Sequence, residues 1–349
     1  MSDTIYVDSP SIKRKDLEYV LNCLVNDKID YGDFAKNFEK KLKERIGCFD
    51  VVSLNSFYNA LNITLLSLSL NIDDEILIPS FSPQIYLNVI SACGFKVVLF
   101  DLEKDKFKPS IESIKSKITD KTKVLILPYY FGYIYDSQEY SSLVEWTIVD
   151  ISSVIGYRGE TNIGSNANFL IADFSPKNII TTGDGGAIFC KDKKGYQKIV
   201  SLIENGYSNE NYYPRYNCLI SDLNASMGVA QNETLSHRLK LRNGIGKIYE
   251  EALLKGSNKI IKTEDGERIY SSFPIIIKNS LKDAINYFKK EGIEAKRPYP
   301  YPLHHYLKLK KEEFENTENF YLKTLLVPIN SNLSKKEVNK IAKAISTLP

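Results

Sequence analysis

None of the five cysteines, Cys23, Cys48, Cys93, Cys190 and Cys218, falls in a C-x-x-C pair. Odd in number and widely spaced, they argue against a disulfide framework and against a structural zinc site, and free thiols in a reducing cytoplasm are the expectation. No run approaches the ~20 apolar residues of a membrane span. The opening MSDTIYVDSP also lacks the basic flank and apolar stretch of a secretory leader. A soluble cytoplasmic protein with no membrane contact is therefore expected. Charge of one sign is not in excess either, with 46 basic against 43 acidic residues and a net charge of +3. Basic runs interleaved with aromatics, which track a nucleic-acid backbone, are missing, so no nucleic-acid partner is expected. The short cluster LKLKKEE at 307–313 reads as a solvated helix face. Internal repeats and low-complexity tracts do not occur.

What is present is ordinary globular material: 349 residues, 43% hydrophobic and 26% charged. That length suits two domains. Between about 50 and 190, short apolar runs alternate with amphipathic ones. DEILIPS (74–80), FKVVLFDLE (95–103), TKVLILPYY (122–130) and EWTIVDISS (145–153) are continuous enough for strands buried on both faces. SPQIYLNVISACG and KPSIESIKSKIT carry helical spacing, the second started by Pro109 and Ser110. The pattern predicts an α/β fold with a mostly parallel central sheet in a large domain, 1–240. After about 240 the texture changes. SHRLKLRNGIGKIYEEALLKG predicts a long linking helix, IYSSFPIIIKN (269–279) a strand, SLKDAINYFKKEGI (280–293) a helix and SKKEVNKIAKAISTL (334–348) a last helix. A small α+β domain, 241–349, follows.

Ligands gather at the carboxyl ends of parallel strands, where loops and helix starts converge. Asp150, directly after WTIV, sits at such an end, and its charge needs a partner. A helix N-cap is the plain explanation of the position taken alone. Twenty-seven residues on, in ADFSPKNIITTGDGGAIF (172–189), Lys177 lies between an apolar run and a threonine–glycine cluster. A lysine amine can form a Schiff base with an aldehyde cofactor. Pyridoxal phosphate also wants a carboxylate against its ring nitrogen, so Asp150 and Lys177 are compatible with that pair.

Several ordered segments together resemble the DegT/DnrJ/StrS family of nucleotide-sugar aminotransferases, nearly end to end. They are IDYGDFAKNFEKKLKERIG (29–47), IVDISSVIGYRG (148–159), SPKNIITTGDGG, RYNCLISDLNASMGVAQ (215–231), YPLHHY and LLVPINSNLSKKEVNKI. The resemblance implies the fold type I architecture of pyridoxal-phosphate transferases and a homodimer. It implies Lys177 as the Schiff-base lysine and proton shuttle, with Asp150 on the ring nitrogen. Ser153 would lie near the ring oxygen, and Asn217 would reach the partner subunit's cofactor phosphate. The implied reaction is amino transfer, with glutamate as donor, to a keto carbon of a nucleotide-linked sugar for polysaccharide biosynthesis. Relatives that dehydrate deoxysugars carry histidine at the lysine position, and Lys177 argues against that activity.

The sequence departs from the family where the cofactor would sit. The phosphate cradle, Ser-Gly-Thr in relatives, is Ser56, Phe57 and Tyr58 here. Pro83 stands where an aromatic stacks on the ring, Ala172 where a serine binds phosphate, and Leu219 where a basic residue lies. Ser175, Thr181, Thr182 and Tyr129 are the candidates to compensate. Two functional classes follow: an active sugar aminotransferase, or a cofactor-poor relative that binds a nucleotide sugar or a partner subunit. Variable loops, NENYYPRY (209–216) and RPYPYPLHH (297–305), are expected to shape the substrate pocket. His304 and His305 read more readily as surface or domain-interface histidines than as catalytic ones.

Overall fold

A computed structural model describes residues 4–203, 215–261 and 268–349. The chain opens with two helices, α1 (Arg14–Val25) and α2 (Asp33–Ile46). The alternating region follows as β1 (Asp50–Leu54), α3 (Phe57–Leu66), β2 (Glu75–Pro79), α4 (Ile85–Ala92), β3 (Lys96–Phe100), α5 (Ile111–Lys117), β4 (Thr122–Pro128), β5 (Trp146–Asp150), β6 (Phe169–Asp173), β7 (Gly186–Cys190) and α6 (Lys193–Ile203). The remainder is α7 (Asp222–Leu253), β8 (Phe273–Ile276), α8 (Leu281–Lys290), α9 (Leu303–Tyr306), α10 (Glu315–Lys323), β9 (Thr324–Val327) and α11 (Lys335–Ser346). Among the described residues no helix is long and apolar enough to cross a membrane.

Seven strands form one sheet in the order β1-β7-β6-β5-β4-β2-β3, parallel except for β7, which runs against both β1 and β6. The apolar runs are continuous because both faces are covered. In β4, Leu125 and Leu127 enter one core while Val124 and Ile126 enter the other. Helix starts follow their caps: the Ser110 side chain accepts from the Ser113 N–H at α5, and that of Ser280 from Asp283 at α8. The strand within 269–279 is shorter than the apolar run suggests, only Phe273–Ile276, paired antiparallel with β9.

The long helix α7 begins fourteen residues before the predicted one and serves two cores. Ala225, Val229, Leu235 and Leu239 pack on the large sheet; Ile245, Tyr249, Ala252 and Leu253 pack with β8, α8, β9 and α11. Its first residue also starts α2. The Asp222 carboxylate accepts N–H bonds from Gly32 (2.9 Å), Phe34 (3.2 Å) and Ala35 (2.8 Å), placing a negative group at the positive end of that helix. A Cβ at Gly32 would come 2.9 Å from Asp222 Oδ2, so glycine is needed there. Further along, Arg238 pairs with Asp16 of α1 at 2.7 Å, both side chains buried.

One contact fastens the C-terminal layers to the sheet. Gly132, beyond β4, has φ +85°, and its carbonyl accepts from the Ile269 N–H at 3.0 Å. A Cβ at this position would stand 1.7 Å from the Ile269 carbonyl oxygen.

Candidate active site

The parallel strands β2, β4, β5 and β6 all finish at one edge of the sheet, with Pro128 opposite Asp150 and Asp150 opposite Ile171 in register. Because β1 and β6 both run against β7, the start of α3 comes to that edge as well. A cavity of about 380 Å³ opens there. Its walls include Asp150, Ser153, Lys177, Phe57 and Pro83 from the residues singled out by sequence, and Ser271, Ser272 and Tyr299 from the C-terminal part. Asp150 and Lys177 thus face one space.

Asp150 is not a helix cap. A series of turns follows β5, and its Oδ1 accepts from the Ser152 N–H at 2.8 Å and from the Ser152 hydroxyl. That hydroxyl oxygen in turn accepts from the Asp173 N–H at 2.8 Å, tying the ends of β5 and β6 together. Oδ2 accepts from the buried phenol of Tyr86 at 2.5 Å. Burial pushes the Asp150 carboxyl above its ordinary range, although the bonds from Ser152 and Tyr86 oppose this. Burial, and then the Asp150 charge, raise the Tyr86 phenol well above its usual value, so it remains a donor. Tyr299 is raised by the same two causes.

Lys177 follows β6 with its side chain about half exposed, and Nζ lies 3.2 Å from Asp173 Oδ2. The same Asp173 carboxylate accepts the Ser175 N–H and the Ser175 hydroxyl, each at 2.8 Å. The turn therefore organises itself around Asp173 and presents the amine to the cavity. The glycines beyond it have packing reasons. A Cβ on Gly185 would meet Thr182 Oγ1 at 2.4 Å; one on Gly186 would meet the Ser56 carbonyl at 2.7 Å and the Phe57 nitrogen at 2.9 Å.

The far end differs from expectation. Ser56 is the N-cap of α3, its hydroxyl accepting from the Asn59 N–H at 3.2 Å. Phe57 is buried and meets Tyr86 edge to face at 5.8 Å. Tyr58 is half-buried, packs against the second core and is absent from the cavity wall. The four hydroxyls expected to compensate each make a bond within the chain. Ser175 donates to Asp173, Thr181 to the Phe174 carbonyl (2.9 Å), Thr182 to the Asp184 carbonyl (2.5 Å) and Tyr129 to the Tyr135 carbonyl (3.2 Å). Ser153 donates to the Tyr129 carbonyl at 2.6 Å. Ala172 is buried in the core and Leu219 is half-buried. Asn217 is exposed and outside the cavity wall.

Of the two expected substrate loops, 209–214 lies outside the described residues. The other supplies Pro298, Tyr299 and Pro300 to the wall, while His304 is fully buried rather than superficial. Sequence reasoning missed Tyr86, Ser152 and Asp173. Signals existed for each: Tyr86 stands one helical turn after Pro83, Ser152 two residues after Asp150 as an Asx turn requires, and Asp173 four residues before Lys177.

Pyridoxal phosphate can be tested against these groups. At the ring end they fit. Asp150 Oδ2 takes only the Tyr86 bond among the described residues, and a carboxylate oxygen has two lone pairs, so one acceptor position stays available for a ring N–H. The Lys177 amine reaches the same cavity. At the phosphate end the fit rests, among the described residues, on the start of α3, where Phe57 stands in place of the relatives' glycine.

The sequence profile of the DegT/DnrJ/EryC1/StrS aminotransferase family matches residues 10–346. A GDP-perosamine synthase from Caulobacter vibrioides is 25% identical, covering 99% of this chain and 99% of that protein. Among solved structures, NtdA from Bacillus subtilis with bound cofactor PMP superposes with a TM-score of 0.86 at 21% identity, over 96% of this chain and 82% of the other. DesI, solved in the presence of its TDP-sugar product, gives a TM-score of 0.88 at 15% identity over 99% and 93%.

Proposed function

The chain belongs to the DegT/DnrJ/EryC1/StrS aminotransferase family, and from that premise we propose that it uses pyridoxal phosphate to transfer an amino group, with glutamate as donor, to a keto carbon of a nucleotide-linked sugar. The observation that carries this reading is that Lys177 and Asp150 line one cavity at the carboxyl edge of a parallel sheet. The nucleotide-sugar part is supported by the relatives: one is a GDP-perosamine synthase, another was solved with a TDP-sugar product.

When bound, the cofactor supplies an electron sink for the carbon that loses its proton. The chain's residues do the rest. The Asp150 carboxylate would hold the ring nitrogen protonated, and Ser152 and Tyr86 fix that carboxylate where it lines the cavity. Lys177 would hold the cofactor, and its amine, on the cavity wall, is the group that would take and return the substrate proton. Asp173, 3.2 Å from that amine, steers it within the turn. Phe57, Tyr86 and Tyr299 give the cavity an aromatic wall that would shield the reacting carbon from water.

A homodimer completes the reading. Leu17, Leu21, Leu24 and Val25 leave an apolar stripe exposed along α1, at 57, 59, 47 and 72%, and Asn217 is exposed to reach a second copy. Sedimentation at micromolar concentration should give twice the chain mass; a single-chain mass removes Asn217 from its role.

The decisive experiment is an absorbance titration with pyridoxal phosphate. A visible band that saturates, and is missing in Lys177→Ala, supports the enzyme. A flat spectrum at saturating cofactor favours the second reading, a sugar-nucleotide-binding relative without transamination, which the aromatic Phe57 at the start of α3 also suits.

A further inference from the structure

Away from the cavity's polar floor, α9 carries two consecutive histidines. Successive helical residues diverge by about 100°, yet His304 and His305 both direct Nε2 at the same oxygen, Glu318 Oε1 of α10. His304 does so at 2.9 Å and His305 more closely still. Their rings stand nearly perpendicular, at 88° with centroids 4.6 Å apart. The three ligand atoms all lie within 4.8 Å of one another.

The convergence is supported from behind. The His304 ring is buried, stacked on Phe314 at 4.6 Å, and its Nδ1 is 2.6 Å from the Ser80 hydroxyl. Ser80 also accepts the His304 and Leu303 backbone N–H groups, through its hydroxyl and its carbonyl respectively. A ligating histidine characteristically spends its other ring nitrogen on such a partner, which fixes the ring and its tautomer. Lys311 Nζ stands 3.7 Å from Glu318 Oε2 and leaves Oε1 as the single oxygen facing the histidines. His305 and Glu318 keep 18 and 14% of their side chains exposed, enough for water to reach the point where the three atoms meet.

Hydrogen bonds alone explain each contact, but they require two N–H donors to crowd one oxygen. A cation replaces both protons and uses the same aim. Two imidazoles and one carboxylate, with water in the fourth position, is a set that zinc accepts.

We propose that His304, His305 and Glu318 form a divalent-cation site of zinc type. It clamps α9 to the end of β2 through Ser80 and to α10 through Glu318. The segment just before α9, Pro298 to Pro300, forms part of the cavity wall, so the clamp steadies that wall. The site is independent of the cysteines, which offer no ligand set by spacing.

The test is competition for zinc between the full-length, chelator-stripped protein and a chromophoric chelator at neutral pH. One equivalent per chain is expected to bind tightly and to raise the melting temperature. His305→Ala and the near-isosteric Glu318→Gln should each weaken binding by about tenfold or more and cancel the thermal shift. Cobalt in place of zinc should give four-coordinate visible bands without a thiolate charge-transfer band. Failure to retain zinc overturns the proposal. So does zinc held equally well by both variants, or a thiolate band, since either places the metal elsewhere.

Discussion

The two ends of the cavity are built on opposite plans. At the ring end a carboxylate is held by three bonds from two residues, and an amine is steered by a neighbouring acid. At the phosphate end, hydroxyls that could meet an anion are turned into the chain's own carbonyls and carboxylates, and an aromatic pair fills the space beside the helix start. Under the proposed function, the difference teaches that this chain concentrates its polar groups on the chemistry and leaves the anchor to a helix terminus. Such a terminus still favours a dianion through unpaired N–H groups and the helix dipole.

Substitutions can break that contrast or sharpen it. The largest effect is expected from Lys177→Ala, which removes the only proton carrier proposed for the reacting carbon. Turnover should fall on the order of 10³-fold or more, measured as amino transfer from glutamate. Next comes Asp150→Asn. A charge-assisted bond of ~1.5–3 kcal/mol is lost, so turnover should fall about 10- to 100-fold, while circular dichroism stays unchanged. Undiminished turnover takes Asp150 off the ring nitrogen.

Phe57→Gly probes the other end. It restores the close backbone approach of relatives, and the preference for pyridoxal phosphate over pyridoxal should rise by about tenfold if one phosphate bond of ~1.5 kcal/mol is gained. An unchanged ratio of dissociation constants means that Phe57 does not restrict the anchor. Tyr86→Phe should act more gently. Without its phenol, burial pushes Asp150 further up, and the acid limb of the cofactor's absorbance titration should move to higher pH.

The smallest effect concerns the cofactor-free fold. The folded Asp150 carboxyl lies above its unfolded value, so its ionised form works against folding. Its contribution is most favourable below the ordinary carboxylate range and is lost as pH rises through the raised folded value. Asp150→Asn should therefore increase the melting temperature at neutral pH, and the gain should vanish in acid. A gain that persists at low pH would point to packing instead.

Much of this was legible in the sequence, unevenly. Strands β2, β4 and β5 announce themselves because burial on both faces leaves unbroken apolar runs, and Asp150 stands at a strand end where such a run stops. The cap at Ser110 is a local signal and is read locally. What could not be read is what depends on distant partners. Nothing in DISS says that Tyr86 will reach Asp150 from 64 positions away, and nothing in YGDFA names Asp222 as the acid at its helix start. The intrachain bonds of the expected compensating hydroxyls were illegible for a related reason. A serine or threonine in a turn has backbone acceptors within reach, and bonding to them costs less ordering than waiting for a ligand.

Gly132 has a bearing on how wide this enzyme's entrance can be. The segment that begins at Ile269 carries Ser271 and Ser272 to the rim, and it hangs on a glycine that leaves no room even for a methyl. A methyl at this position would stand against the Ile269 carbonyl and 3.1 Å from the Ser271 hydroxyl, so Gly132→Ala should disturb the rim itself. The rim is in this sense held by main chain meeting main chain, behind the surface that a designer would first think to redraw.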